Sequence, residues 1–213
     1  MSPGIWIGIV FVGVTAMLWA EYRQRFGGVC AAKIVASSAF LVCAVGMAPN
    51  ATPYVCALLV ALALSWFGDV FLLSGREAVF ACGLASFAAA HLAFVAAFIA
   101  LGVSLPHLFV AAVPLAIVAL VVMRWLLPYV GARLQSPVAG YILIVTAMAA
   151  TAAGAYGGGA GRSRLLLAAL LFFVSDLAVA RHRFVRRGFA NKAWGAPTYY
   201  LAQVLFALSA GLQ

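Results

Sequence analysis

The sequence predicts an all-α, polytopic membrane protein folded as a bundle of eight transmembrane helices. Hydrophobic residues make up 67% of the 213 residues and charged residues only 8%, whereas about 25% of an ordinary soluble domain is charged. The apolar runs recur at about 17 to 23 residues, the length of a helix that spans a bilayer. Strands of a membrane barrel would alternate in polarity over about ten residues, and the sequence has no such segments.

Turn-forming residues separate the apolar runs and give the order of the predicted helices. In chain order the separators are Gly27-Gly28, Pro49 and Pro53, Ser74-Gly75, Pro106, Pro128 to Pro137, Gly157 to Gly161, and Pro197. The resulting spans are 4–20, 29–48, 54–73, 79–101, 106–127, 137–155, 164–181 and 195–212. No Lys or Arg precedes the first run, so we expect a first span there rather than a cleaved signal peptide. The loops are short, and we expect one domain over residues 1–213.

The basic residues predict the orientation of these helices. Apart from Lys33, two of them, Arg162 and Arg164, lie in even-numbered loops. The odd-numbered loops carry Arg23, Arg25, Arg76, Arg124, Arg133, Arg181, Arg183, Arg186, Arg187 and Lys192. The positive-inside rule therefore places the odd loops in the cytoplasm and both termini outside. Topology and anionic lipid account for the net charge of +9, so we expect a lipid bilayer and no nucleic acid as partner. The Ala- and Arg-rich composition suggests a bacterial inner membrane.

Asp69 and Asp176 are the only two aspartates, and both lie in apolar runs. A charge inside a membrane span costs several kcal/mol and usually faces a cavity or a partner. Each lies roughly 6 to 7 Å from the cytoplasmic end of its span, at 1.5 Å per residue. A hydrogen bond to a neighbouring helix would be the structural explanation; we favour an acid/base pair in one inward-opening cavity. Two carboxylates in one such cavity do not both ionise easily, so one proton is expected to be shared or held by one of them.

Other polar residues of the spans, most of them in the cytoplasmic half and His91 deeper, near the midplane, are candidates to bind substrate. They are Lys33, Ser65, His91, Ser175, Tyr200 and Gln203. Lys33 could instead extend toward the headgroups or serve as counter-ion to an aspartate. His91 could be a packed, hydrogen-bonded histidine, and Tyr200 and Gln203 could pack between helices. No Cys-x-x-Cys or His-x₃-His spacing occurs, so we expect no metal.

Several motifs, taken in order, resemble the YhhN-type lysoplasmalogenase family. They are Gly68-Asp69-Val70 with Leu72, then Phe80, Gly83-Leu84, Phe87 and His91, then Phe172 with Ser175-Asp176, and finally Tyr199-Tyr200-Leu201-Ala202-Gln203. The resemblance implies eight transmembrane helices and hydrolysis of the vinyl-ether bond of lysoplasmalogens, with a lysophospholipid as substrate. The family's paired aspartates fall on Asp69 and Asp176. The loop after Asp176 is richer in arginine than the family pattern.

Vinyl-ether hydrolysis needs one protonated acid and one carboxylate, and neither a metal nor a cofactor. Two alternatives remain open at this stage. One is a metal-dependent, ceramidase-like lipid hydrolase that uses His91 with the aspartates; the other is a proton-coupled transporter of lipids or small molecules, for which buried aspartates are equally natural. The sequence leaves open which aspartate is the general acid, which headgroup is preferred, and the oligomeric state.

Overall fold

The computed structural model describes residues 2–159 and 162–212, and within these ranges the chain is helical without any strand. There are eight long α-helices: α1 (Pro3–Tyr22), α2 (Phe26–Met47), α3 (Pro53–Phe71), α4 (Glu77–Leu101), α5 (Leu105–Leu126), α6 (Ala132–Tyr156), α7 (Ser163–Ala180) and α8 (Phe189–Ser209). A 3-10 turn, Leu127–Tyr129, follows α5, and a π-helical turn, Arg181–Val185, follows α7. The predicted all-α class is confirmed.

Seven of these helices are long and apolar enough to cross a membrane, so the chain is an integral membrane protein. The helix outside that set, α8, is 21 residues long. It is more polar because it carries Asn191, Lys192, Thr198, Tyr199 and Gln203. Most of these side chains are buried or half-buried inside the bundle. The count of eight spans is therefore approximate.

All eight helices begin earlier than the sequence analysis predicts, and two of them begin five or six residues earlier. The predicted sixth and eighth spans begin at 137 and 195, whereas α6 begins at Ala132 and α8 at Phe189. Pro137 and Pro197 lie inside these helices. Membrane helices tolerate internal proline because neighbouring groups satisfy the freed carbonyls. At Pro53 the prediction is correct, because that proline is the first residue of α3, where no hydrogen bond from its nitrogen is needed.

Six helices form a closed ring around the centre of the bundle. In order around the ring, α2 contacts α3, α3 contacts α4, α4 contacts α6, α6 contacts α7, α7 contacts α8, and α8 contacts α2. Outside this ring, α1 packs on α2 and α8, and α5 packs on α6. The outer surface is apolar, with Val110 76% exposed on α5, as expected of a helix that faces lipid tails.

Small residues bring the ring helices close together where the polar side chains lie. Gly195 of α8 approaches Ala178 of α7 so closely that a methyl group on Gly195 would collide with the Ala178 methyl. Close approach at small residues is a common way for membrane helices to pack. Tyr199 lies about one turn after Gly195 and Asp176 about half a turn before Ala178. This contact therefore brings the two side chains to nearly the same level of the bundle.

Candidate active site

A cavity of about 650 Å³ lies inside the helix ring. It is lined by Asp69 and Asp176 at depth and by loop residues such as Gln24, Gly75 and Arg187. It therefore opens at the end of the bundle where the odd-numbered loops and their basic residues lie; we call this the basic end. Cavities of roughly 300–1,000 Å³ are typical of small-molecule sites, so both aspartates face a space that admits a ligand.

Asp69 is almost fully buried and is held by three donors. The Lys33 ammonium lies 3.1 Å from its Oδ1 atom. The hydroxyls of Ser37 and Tyr199 each donate a hydrogen bond of 2.7 Å to Oδ2. Burying a charge is tolerated when it is paired and hydrogen-bonded, and an ammonium only donates. The surroundings of Asp69 therefore stabilise an ionised carboxylate.

The hydroxyl of Tyr200 supports this group without touching Asp69 directly. It lies 3.0 Å from the Ser37 oxygen and donates over 3.3 Å to the backbone carbonyl of Lys33. Since the Ser37 hydrogen is directed to Asp69, the single Tyr200 hydrogen is shared between the Ser37 oxygen and the Lys33 carbonyl.

Asp176 has a different set of partners. Its Oδ2 atom lies 3.1 Å from Nε2 of His91, and the Tyr141 hydroxyl lies 3.0 Å from the same nitrogen. On the other side of the ring, Nδ1 lies 3.2 Å from the sulfur of Met148. A thioether sulfur accepts a hydrogen bond but cannot donate one, so Nδ1 carries hydrogen.

This tautomer limits the hydrogen bonds that Nε2 can make. With hydrogen on Nδ1, a neutral His91 has a bare Nε2 that accepts one hydrogen, either from the Tyr141 hydroxyl or from a protonated Asp176. If the imidazole is charged instead, Nε2 donates to the Asp176 carboxylate. The contact between His91 and Asp176 can therefore hold one proton at the wall of the cavity.

The two aspartates belong to separate hydrogen-bond networks. Within the described residues no hydrogen bond joins Asp69 to Asp176. Of the two arrangements expected from the sequence, this geometry favours a proton held by one aspartate over a proton shared between the two. The ring of Phe172 lies between the networks, with its centroid 4.5 Å from that of His91 and 5.3 Å from that of Tyr199. Phe87 packs on both Phe172 and Tyr199. Aromatic side chains thus fix the two polar groups side by side without direct contact.

A glycine permits this aromatic packing beside Asp69. A Cβ atom at Gly68 would lie 2.6 Å from the Phe87 ring, which is closer than real contacts allow. The Gly68-Asp69 pair therefore lets Phe87 lie directly on α3.

The remaining predicted site residues lie in different places. Ser175 lines the cavity and donates to the carbonyl of Phe172. Ser65 is fully buried and donates to its own helix at Ala61. Gln203 is also fully buried, and its amide finds no partner among the described residues. Neither Ser65 nor Gln203 lines the cavity, so their predicted role in substrate binding has no contact to support it.

Ser37 is a site residue that the sequence analysis missed. It lies four residues after Lys33, and side chains at this spacing share a helix face. A serine in an apolar run carries little signal alone, but its spacing from the membrane lysine could have identified it.

Metal ligands are a separate question. In the described part of the chain, no three His, Cys, Asp or Glu side chains cluster.

Comparison with known proteins decides the family. The model of the YhhN family matches residues 29–210, which is most of the chain. The chain belongs to the YhhN family. Every residue of the two networks lies in the matched range, whereas α1 precedes it. No curated protein and no solved structure matches this YhhN protein.

Proposed function

We propose that this YhhN protein is a lysoplasmalogenase, a hydrolase that cleaves the vinyl-ether bond of lysoplasmalogens. The products are a fatty aldehyde and a glycerophospho-base. The observation that carries the proposal is the pair of carboxyl groups with unlike partners in one cavity: Asp69 bound to the Lys33 ammonium, and Asp176 in contact with Nε2 of His91. Family membership, which suggests a hydrolase, is the second support.

The first chemical step is proton transfer to carbon. Asp176 gives its proton to the β-carbon of the vinyl ether; the O–H bond breaks and the π electrons form the new C–H bond. The α-carbon and ether oxygen then share the positive charge of an oxocarbenium ion. His91 holds the acid in position, and the Asp69 carboxylate lowers the energy of the cation in a site poor in water.

The second step is capture of the cation by water. A water oxygen bonds to the α-carbon, and the proton it loses passes to Asp176, which restores the acid. The resulting hemiacetal loses the glycerol oxygen as a hydroxyl, with its own hydroxyl proton moving to that oxygen. One water is consumed, and the protein returns to its starting protonation.

The cavity also suits a single-chain amphiphile. Its depth is lined by aromatic and aliphatic side chains such as Phe87, Ile142 and Phe173, while charged loop residues lie at its mouth. We infer that the alkenyl chain lies between the helices and the headgroup at the basic end. By the positive-inside rule this end faces the cytoplasm of a bacterial inner membrane, with both termini outside.

The test is release of long-chain aldehyde from lysoplasmenylethanolamine by the purified protein in detergent. Wild type should release aldehyde, and Asp69→Asn and Asp176→Asn should not, although both fold. Glu77→Gln is the matched control, because Glu77 is exposed at the start of α4 and does not line the cavity. Normal turnover by both Asn variants would refute the mechanism. If folded wild type released no aldehyde, the alternative of a proton-coupled transporter would be favoured. Flux of substrate into protein-containing vesicles would test that alternative.

A further inference from the structure

The mouth of the cavity carries charges of both signs. The basic residues that line it include Arg183, Arg187 and Lys192, and one carboxylate, Glu21, lies among them. Within the described residues the other carboxylates lining the cavity are Asp69 and Asp176, which lie deeper. A purely anionic headgroup would need only the basic residues. The single carboxylate therefore points to a ligand that also carries a positive charge.

Lys33 is not available to bind a phosphate group, because its ammonium already compensates Asp69. Arg183 is better placed. Its guanidinium lies 4.4 Å from the centroid of the Phe80 ring, and both residues line the cavity. Such stacking fixes the plane of a guanidinium and leaves its edge free to bind phosphate.

Asn191 holds the chain around Arg183 in place. It is 2% exposed, accepts a hydrogen bond from Arg181, and donates one of 2.7 Å to the carbonyl of Arg186. The π-helical turn that carries Arg183 is thus tied to α8. These contacts, together with the stacking of Arg183 on Phe80, fix the position of Arg183 at the mouth.

Glu21 already binds a primary ammonium group. The Lys192 ammonium donates to its Oε1 atom over 2.6 Å, with Glu21 25% and Lys192 38% exposed. A primary ammonium on a ligand would make the same contact and would release Lys192 toward the phosphate. A quaternary ammonium has no N–H to donate and is bound better by aromatic cages.

We propose that the mouth is a subsite for a zwitterionic phosphoethanolamine headgroup, with Arg183 and Arg187 on the phosphate and Glu21 on the primary ammonium. This inference rests on the proposed function, whose substrate class it specifies. Arg183 and Arg187 lie within the range matched by the family model, and Glu21 precedes it.

The test measures binding separately from turnover. Purified protein is titrated with 1-acyl lysophospholipids of one chain length that carry ethanolamine, choline or glycerol headgroups. Wild type should bind the ethanolamine lipid about five- to tenfold more tightly than the glycerol lipid, with choline between. Glu21→Gln should remove this difference, and Glu77→Gln should retain it. Arg183→Gln should weaken all three lipids but not an uncharged monoacylglycerol.

Two outcomes would overturn the subsite. One is equal affinity of wild type for the ethanolamine and glycerol lipids. The other is that Glu21→Gln loses affinity for both lipids to the same extent. Selective binding of the ethanolamine lipid without aldehyde release would support the subsite and refute the proposed reaction. Aldehyde release without selective binding would support the reaction and refute the subsite.

Discussion

His91 Nε2 lies 3.1 Å from the Oδ2 atom of Asp176, and it is this contact that distinguishes the two aspartates chemically. Asp69 faces an ammonium group, whereas Asp176 faces an imidazole that can hold or release a proton. The two carboxyl groups have the same covalent structure, and their helices give them different partners. That difference is what an acid/base pair requires.

His91→Phe should lower kcat by about 100-fold or more, because it removes the group that holds the proton of Asp176 in position. KM should change little, since the ring is fully buried and phenylalanine fills most of its volume. Steady-state kinetics of aldehyde release measure both quantities. Met148→Leu is the informative partner variant: it removes the acceptor at Nδ1 but keeps the imidazole, and should reduce kcat by less than about tenfold. Equal losses in the two variants would contradict a role for the imidazole itself.

Lys33→Met should destabilise the fold by roughly 3–5 kcal/mol, because it leaves the Asp69 carboxylate buried without a counter-charge. The double variant Lys33→Met with Asp69→Asn should recover most of that loss, since the amide needs no counter-charge. The free energy of unfolding in detergent, measured for wild type, both single variants and the double variant, gives the coupling energy between Lys33 and Asp69. Additive losses would show that Lys33 and Asp69 do not depend on each other.

The depth of a residue along its helix could be predicted from the sequence. The direction in which its side chain points around the helix axis could not. Counting residues from the helix ends places Asp69 and Asp176 at one level, and the structure brings both to one cavity. The contact of Lys33 with Asp69, and that of His91 with Asp176, depend on how each helix is rotated. Rotation is set by close contacts such as Gly195 on Ala178, which one sequence does not specify.

The prediction for α8 shows the same limit, because the sequence indicates depth but not direction around the helix. Tyr199 and Tyr200 lie at nearly equal depth, and sequence analysis selected Tyr200. The structure places the Tyr199 hydroxyl on Asp69 and the Tyr200 hydroxyl one bond further away, on Ser37. Adjacent helical residues point about 100° apart, so depth alone could not choose between them.

Gly195→Ala should destabilise the protein by roughly 1–3 kcal/mol, because the new methyl group collides with Ala178 and pushes α7 from α8. Gly140→Ala is the matched control: Gly140 also lies inside a helix, but a Cβ there meets nothing within 4 Å. That variant should be stabilised by up to about 1 kcal/mol through helix propensity. Thermal unfolding in one detergent compares the two. A Gly195→Ala variant as stable as wild type would mean that the two helices separate without cost.

Tyr199→Phe and Tyr200→Phe form a matched pair that tests the electrostatics at Asp69. The first removes a hydrogen bond donated to a charged group, worth about 1.5–3 kcal/mol, so kcat should fall by roughly ten- to a hundredfold. The second removes a bond to the neutral Ser37 hydroxyl, worth about 0.5–1.5 kcal/mol, and kcat should fall less than about tenfold. Aldehyde release gives the rates, and unfolding curves confirm that both variants fold. If Tyr200→Phe proved the more damaging, the hydroxyl that matters would be the one reaching Ser37 and Lys33, and the Tyr199 hydroxyl would not be the group that stabilises Asp69.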